Sequence, residues 1–165
     1  MNKKIIIIGG VAAGMSAASK AKRIDKSLDI TVYEMTEAIS WGACGLPYYV
    51  GDFYPDASLM VARTYEEFQK EGINVKIKHK VENVDFKNKK VFVRNLNENK
   101  VFEDSYDKLV IATGASSTSP KDIKNLDAEG VYHLKTFNEG LEVKKEILKK
   151  ENENIIIIGA GYIGV

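Results

Sequence analysis

The stretch Lys4-Ile-Ile-Ile-Ile-Gly-Gly-Val-Ala-Ala-Gly14 decides the reading of this 165-residue chain. Four consecutive β-branched residues suit a strand buried on both faces, and a glycine turn followed by small residues suits a helix packed closely on that strand. Backbone N–H groups at such a helix N-terminus attract anions, and glycines let the main chain approach a pyrophosphate. Of the three glycine places in G-x-G-x-x-G, this copy fills two: the places hold Gly9, Val11 and Gly14. The pattern returns as Asn154-Ile-Ile-Ile-Ile-Gly-Ala-Gly-Tyr-Ile-Gly164, where all three places are glycine: Gly159, Gly161 and Gly164. Two nucleotide-binding units are begun, and the chain stops one residue past the second fingerprint.

Outward from the first copy, the spacing predicts a helix from about Ala12 to Arg23 and a strand from Ile30 to Tyr33 that ends at Glu34. Glu34 stands about 20 residues past Gly14, where a carboxylate can accept both ribose hydroxyls of an adenosine. Thr64-Tyr-Glu-Glu67 has capping-box spacing and Gly72 the helix-ending position, followed by strand alternation over Val75 to Lys78. Val81 to Phe86, Val91 to Arg94 and the segment around Val101 and Phe102, joined by polar turns, predict a small antiparallel meander. Leu109 to Ala112 returns to the core, and the capping box Thr136-Phe-Asn-Glu139 opens a helix ending at Lys149 and Lys150. The expected fold is α/β: a parallel sheet with helices on both faces, a small antiparallel β-meander, and the start of a second unit of the same kind. Residues 1–152 are expected to form the first domain. Residues 153–165 supply the first strand and glycine turn of the second.

Composition narrows the function. Lys and Arg number 24 against 23 Asp and Glu, a net charge of +1, so nothing pulls the chain toward nucleic acid or an anionic membrane. Its apolar runs are far shorter than the roughly 20 residues that span a bilayer, and the N-terminus lacks a signal-peptide core, so a cytoplasmic address is expected. His79 and His133 lack metal-ligand spacing, and no metal is expected.

Cys44 is the one cysteine, which excludes an internal disulfide, a CxxC pair and a thiolate zinc cage. It lies within Ser40-Trp-Gly-Ala-Cys-Gly-Leu-Pro-Tyr-Tyr49. Proline is tolerated in the first turn of a helix, so Pro47 predicts a helix beginning near Cys44, with the sulfur at the positive end of its dipole. A cysteine so placed, flanked by glycines, is a candidate nucleophile and redox residue. The competing reading is a small buried apolar residue. A third signal, Tyr106-Asp-Lys-Leu-Val-Ile-Ala-Thr-Gly114, reads as a buried strand ending in a glycine turn.

These signals, in this order, resemble the FAD-dependent pyridine nucleotide-disulfide oxidoreductases over the whole chain. The resemblance implies an FAD site at Gly9, Gly10, Val11, Ala12, Ala13, Gly14, Glu34, Val81, Ala112, Thr113 and Gly114, and an NAD(P)H fingerprint at Gly159, Gly161 and Gly164. With one cysteine the chain is similar to the single-cysteine branch, and C-G-L-P-Y-Y most resembles CoA-disulfide reductases and the related CoA persulfide reductases. It implies electrons passing from NAD(P)H through FAD to Cys44, which cycles between thiol and mixed disulfide with CoA. By the same resemblance Ser40 and Arg23 bind CoA, with Ser16 and Lys20 on the same helix face. Ala43 departs from the asparagine frequent before the cysteine in those enzymes, which leaves room for an NADH oxidase or peroxidase carrying a cysteine sulfenic acid. Members of the family are longer and dimerise through a C-terminal domain. This chain is therefore expected to be the N-terminal part of such an enzyme, inactive alone and a homodimer at full length. A non-catalytic FAD-binding module is the remaining alternative.

Overall fold

Ile5 to Ile8 become the middle of a parallel sheet, as their β-branching demands. In the computed structural model, which describes residues 2–149 and 154–164, the elements run β1 (Lys4–Ile8), α1 (Ala12–Ile24), β2 (Asp29–Tyr33), α2 (Leu46–Val50), α3 (Tyr65–Lys70) and β3 (Ile73–Lys76). They continue with β4 (His79–Asp85), β5 (Lys90–Asn95), β6 (Lys100–Ser105), β7 (Lys108–Ile111) and α4 (Phe137–Lys149). Two compact units result. One is formed by the described residues up to Trp41 together with Val61–Gly114, the other by Gly42–Met60 together with the described residues from Ala115 onward.

The first unit holds a four-stranded sheet of order β3-β2-β1-β7, every pair parallel, and a three-stranded antiparallel sheet β4-β5-β6. Side chains alternate across a strand, so β1 serves two cores at once. Ile7 packs with Met15 and Ala18 of α1, Val32, and Phe68 of α3. Ile6 and Ile8 point the other way, onto Val91, Val93 and Tyr106. In this unit the meander, and not a helix, layers that second face, because β5 is amphipathic and offers an apolar side to Ile6 and Ile8. The parallel sheet with its helices and the antiparallel meander are otherwise as the sequence led us to expect.

Two strand starts differ from the spacing. The chain enters β3 at Ile73, directly behind Gly72 at φ 77°, rather than at Val75. Lys78, at φ 55°, then turns it into β4 at His79.

In the second unit, short 3-10 turns at Ala43–Gly45 and Ala57–Met60 flank α2. The Thr136 capping box opens α4 as expected: Glu139 N–H donates to Thr136 Oγ1 at 3.3 Å, and Thr136 N–H donates to Glu139 Oε2 at 2.6 Å. Lys150, Val165 and the expected boundary at 152/153 lie outside the described residues. Ile155 to Ile158 are not the buried strand expected. Their exposures run from 64% to 87%, and none of them belongs to a strand, since no described residue pairs with them.

Candidate functional site

The glycine turn after β1 has a geometric need for each of its outer glycines. Gly9 sits at φ 105°, and a Cβ there would overlap the Ala112 carbonyl oxygen. A Cβ on Gly14 would overlap the Gly9 carbonyl oxygen. Val11, in the middle place, has φ −98° and ψ −143°, so this position does not take the left-handed backbone that calls for glycine. As N-cap of α1 it makes no side-chain cap hydrogen bond, and the first turn holds no acidic residue. The leading N–H groups of the helix are therefore left for an anion, beside the exposed Ala12 and Ala13.

Glu34 follows β2 and is only 6% exposed. Gly10 N–H donates to its Oε2 at 2.7 Å, while Thr36 donates to Oε1 from both N–H and Oγ1, each at 2.8 Å. Oε1 is thus filled and Oε2 keeps one free lone pair for a hydroxyl. Gly10 serves the carboxylate rather than a phosphate. Thr36 was not visible from the sequence, since no motif marks the residue two beyond the acid. His79 N–H donates to the Glu34 carbonyl at 2.9 Å and starts β4, where half-buried Val81 pairs with Val93. Ala112 N–H donates to the Ile8 carbonyl at 2.8 Å, so Ala112, Thr113 and Gly114 leave β7 beside Gly9. The first unit therefore gathers the glycine turn, Glu34 and the Ala112–Gly114 exit around one helix N-terminus. This donor set suits a dinucleotide: unsatisfied N–H groups for pyrophosphate and an oriented carboxylate for ribose.

Ser16, Lys20 and Arg23 are exposed along one face of α1, at helical spacing. Ser40, at φ 49°, is held by main-chain bonds, its N–H to the Gly10 carbonyl and its carbonyl to Ala62 N–H, each 2.8 Å.

Cys44 belongs to the second unit, where it is exposed at the centre of the Ala43–Gly45 turn. The buried apolar reading fails on that exposure. The helix expected near Cys44 starts instead at Leu46 and has five residues, because Pro47 fits only its first turn. Gly45 N–H closes the turn on the Gly42 carbonyl at 2.9 Å, and Tyr54 OH donates to the Gly45 carbonyl. Burial pushes the Tyr54 phenol up from its ordinary value, with the Lys144 charge acting against it.

The second fingerprint repeats the first in shape. Gly159 has φ 115°, and a Cβ on Gly164 would overlap the Gly159 carbonyl oxygen and lie 3.1 Å from Ile157 Cγ2, against 3.2 Å from Ile7 Cγ2 at Gly14. Among the described residues no group of His, Cys, Asp and Glu could hold a metal ion, and no helix is long and apolar enough to cross a membrane.

Comparison with known proteins agrees with this geometry. Residues 3–165 match the family model of pyridine nucleotide-disulphide oxidoreductases. The coenzyme A disulfide reductase of Staphylococcus aureus (strain COL) is 32% identical over 98% of this chain, which spans 36% of that relative's length. Among solved structures, the water-forming NADH oxidase of Lactobacillus brevis superposes with TM-score 0.92 at 32% identity, covering 99% of this chain and 36% of its own. The NAD-dependent persulfide reductase of A. fulgidus gives TM-score 0.89 at 37% identity, covering 98% of this chain and 30% of its own. The chain therefore belongs to the pyridine nucleotide-disulphide oxidoreductase family.

Proposed function

We propose that this chain is the FAD-binding part of a flavoprotein disulfide reductase whose single redox cysteine, Cys44, exchanges with CoA disulfide or CoA persulfide. The observation that carries the reading is an exposed thiol on a glycine-flanked turn, in a chain with no second cysteine. The thiolate of Cys44 attacks one sulfur of CoA disulfide, forming the mixed disulfide Cys44–S–S–CoA and releasing CoA thiolate. With CoA persulfide the same mixed disulfide forms and hydrosulfide leaves. FAD would be held at Gly9–Gly14, Glu34, Val81 and Ala112–Gly114 and, once reduced by NAD(P)H, would supply the two electrons that return Cys44 to the thiolate and free the bound CoA. The α1 N-terminus neutralises the pyrophosphate and Glu34 orients the ribose. Ser16, Lys20, Arg23 and Ser40 hold the CoA chain and phosphates, Arg23 through the paired N–H groups that match phosphate oxygens. Gly159, Gly161 and Gly164 begin the NAD(P)H site in residues 153–165. The full-length protein works as a cytoplasmic homodimer.

A second reading has support of its own in the close superposition on the NADH oxidase: Cys44 would then carry a sulfenic acid. One experiment separates them. In a full-length protein, Cys44→Ser is expected to keep FAD and still accept hydride from NAD(P)H, but to lose reduction of CoA disulfide. Retention at the parent rate rejects the role of Cys44. Intact-mass analysis that finds a sulfenic acid, and never a CoA adduct when CoA disulfide is supplied, replaces the reductase with the oxidase. Arg23→Ala is expected to raise KM for the CoA substrate far more than for NAD(P)H, and equal effects would point away from CoA.

A further inference from the structure

Three polar or charged residues are buried among those described, Thr31, Glu34 and Lys144. Of the two charged ones, Lys144 is the one with no part in the site so far. It is 5% exposed, on α4, and its ammonium has two oxygen neighbours and an aromatic ring around it. Nζ is 2.9 Å from Asp52 Oδ1, donates to the Tyr54 carbonyl at 3.1 Å, and stands 4.2 Å from the Tyr49 ring centroid. Burying an amphipathic lysine to this depth is costly unless each N–H finds an acceptor, and here the acceptors are supplied by the segment that follows Cys44. Four residues earlier on α4, one turn away, Gly140 is also buried, and a Cβ there would overlap Leu46 Cδ1 of α2. The buried face of α4 is thus Gly140 and Lys144, the first against the helix after Cys44 and the second against the loop beyond it. From that loop Tyr54 OH donates to the carbonyl of Gly45, the residue next to Cys44.

We infer that Lys144 is a positioning residue for Cys44, acting through Tyr54 to set the carbonyl of Gly45, the residue that follows Cys44 in its turn. This rests on the redox role proposed for Cys44 and extends it to a helix that carries none of the family's motifs. Lys144 holds the Tyr54 carbonyl and the Asp52 carboxylate together, Asp52 being at φ 62°. That fixes where the Tyr54 phenol lies, and the phenol in turn orients the Gly45 peptide.

The test uses the 165-residue chain, whose one thiol makes the signal unambiguous. Its reaction with a small neutral disulfide, 4,4′-dithiodipyridine, is followed against pH, with a thermal melt beside it. Tyr54→Phe is expected to slow Cys44 about fivefold, the effect of one lost hydrogen bond, and to displace the profile along the pH axis. Lys144→Met is expected to do the same, and the double variant to be no slower than the slower single one, because both act on one route. If Lys144→Met does not fold, Asp52→Asn releases the ammonium from its exposed side and is expected to move the profile in the same direction. A lowered melting temperature with the profile unmoved makes Lys144 a packing residue and overturns the inference, as do effects that multiply. The neutral probe contains no CoA, so these outcomes stand apart from the Cys44→Ser assay that tests CoA-disulfide reduction.

Discussion

Gly9 concentrates two constraints in one residue, a left-handed φ of 105° and the Ala112 carbonyl lying where a Cβ would go. Gly9→Ala is therefore expected to cost at least about 1–3 kcal/mol, the range for backbone held in a sparsely populated region, read as a lowered denaturant midpoint. Glu34 carries a different risk. Removing its carboxylate leaves Gly10 N–H and Thr36 N–H unpaired, while the Thr36 hydroxyl keeps the Ala38 carbonyl at 3.2 Å. Glu34→Ala is expected to weaken FAD binding by about 1–3 kcal/mol, measured by titrating the apoprotein with flavin, and unchanged affinity would remove Glu34 from the site. Gly9, Gly14 and Glu34 were legible in sequence because turn geometry and strand length fix their spacing. Thr36, Tyr54 and Lys144 were not. Their partners lie across loops or 90 residues away, and a lysine on a helix reads as solvated until the packing is known.

At the scale of elements, the parallel sheet and the meander meet through a polar contact at the edge of an apolar layer. Tyr33 OH of β2 donates to Asp104 Oδ2 of β6 at 2.8 Å, and the Lys4 ammonium of β1 pairs with Asp104 Oδ1. Burial, and then donation to Asp104, push the Tyr33 phenol well above its ordinary value. A group raised in the folded state stabilises it fully below its unfolded pKa, here about 10, and loses that contribution as pH rises toward the folded value. Thermal stability of the parent should therefore fall as pH climbs above about 10, and Tyr33→Phe should flatten that part of the curve; a slope left unchanged would show that the contact contributes nothing. The strands were readable from β-branched runs. Their layering was not, because periodicity says that Ile6 and Ile8 need a cover without saying whether a helix or a strand supplies it.

For the whole molecule, the chain spans 36% of the length of the coenzyme A disulfide reductase it matches, and its last described isoleucines are exposed. Ile156 at 87% and Ile158 at 72% bury almost nothing. Replacing both with lysine should change unfolding free energy by no more than about 0.5 kcal/mol per site, while lowering concentration-dependent association in light scattering. A melt shifted well beyond that would mean the run is covered in solution. Purified alone, the 165-residue chain is expected to show no NAD(P)H-dependent turnover, and measurable turnover would refute its reading as part of an enzyme. The second glycine turn bears on how such a protein is made. It reproduces the first, from its left-handed Gly159 to the close approach at Gly164, although among the described residues no strand pairs with its isoleucines. A shape complete within a handful of neighbouring residues is encoded by the local chain, and loops of that size close in about 10–100 ns. During synthesis such a turn would stand ready as it leaves the ribosome, its shape set before any distant part of the chain is needed.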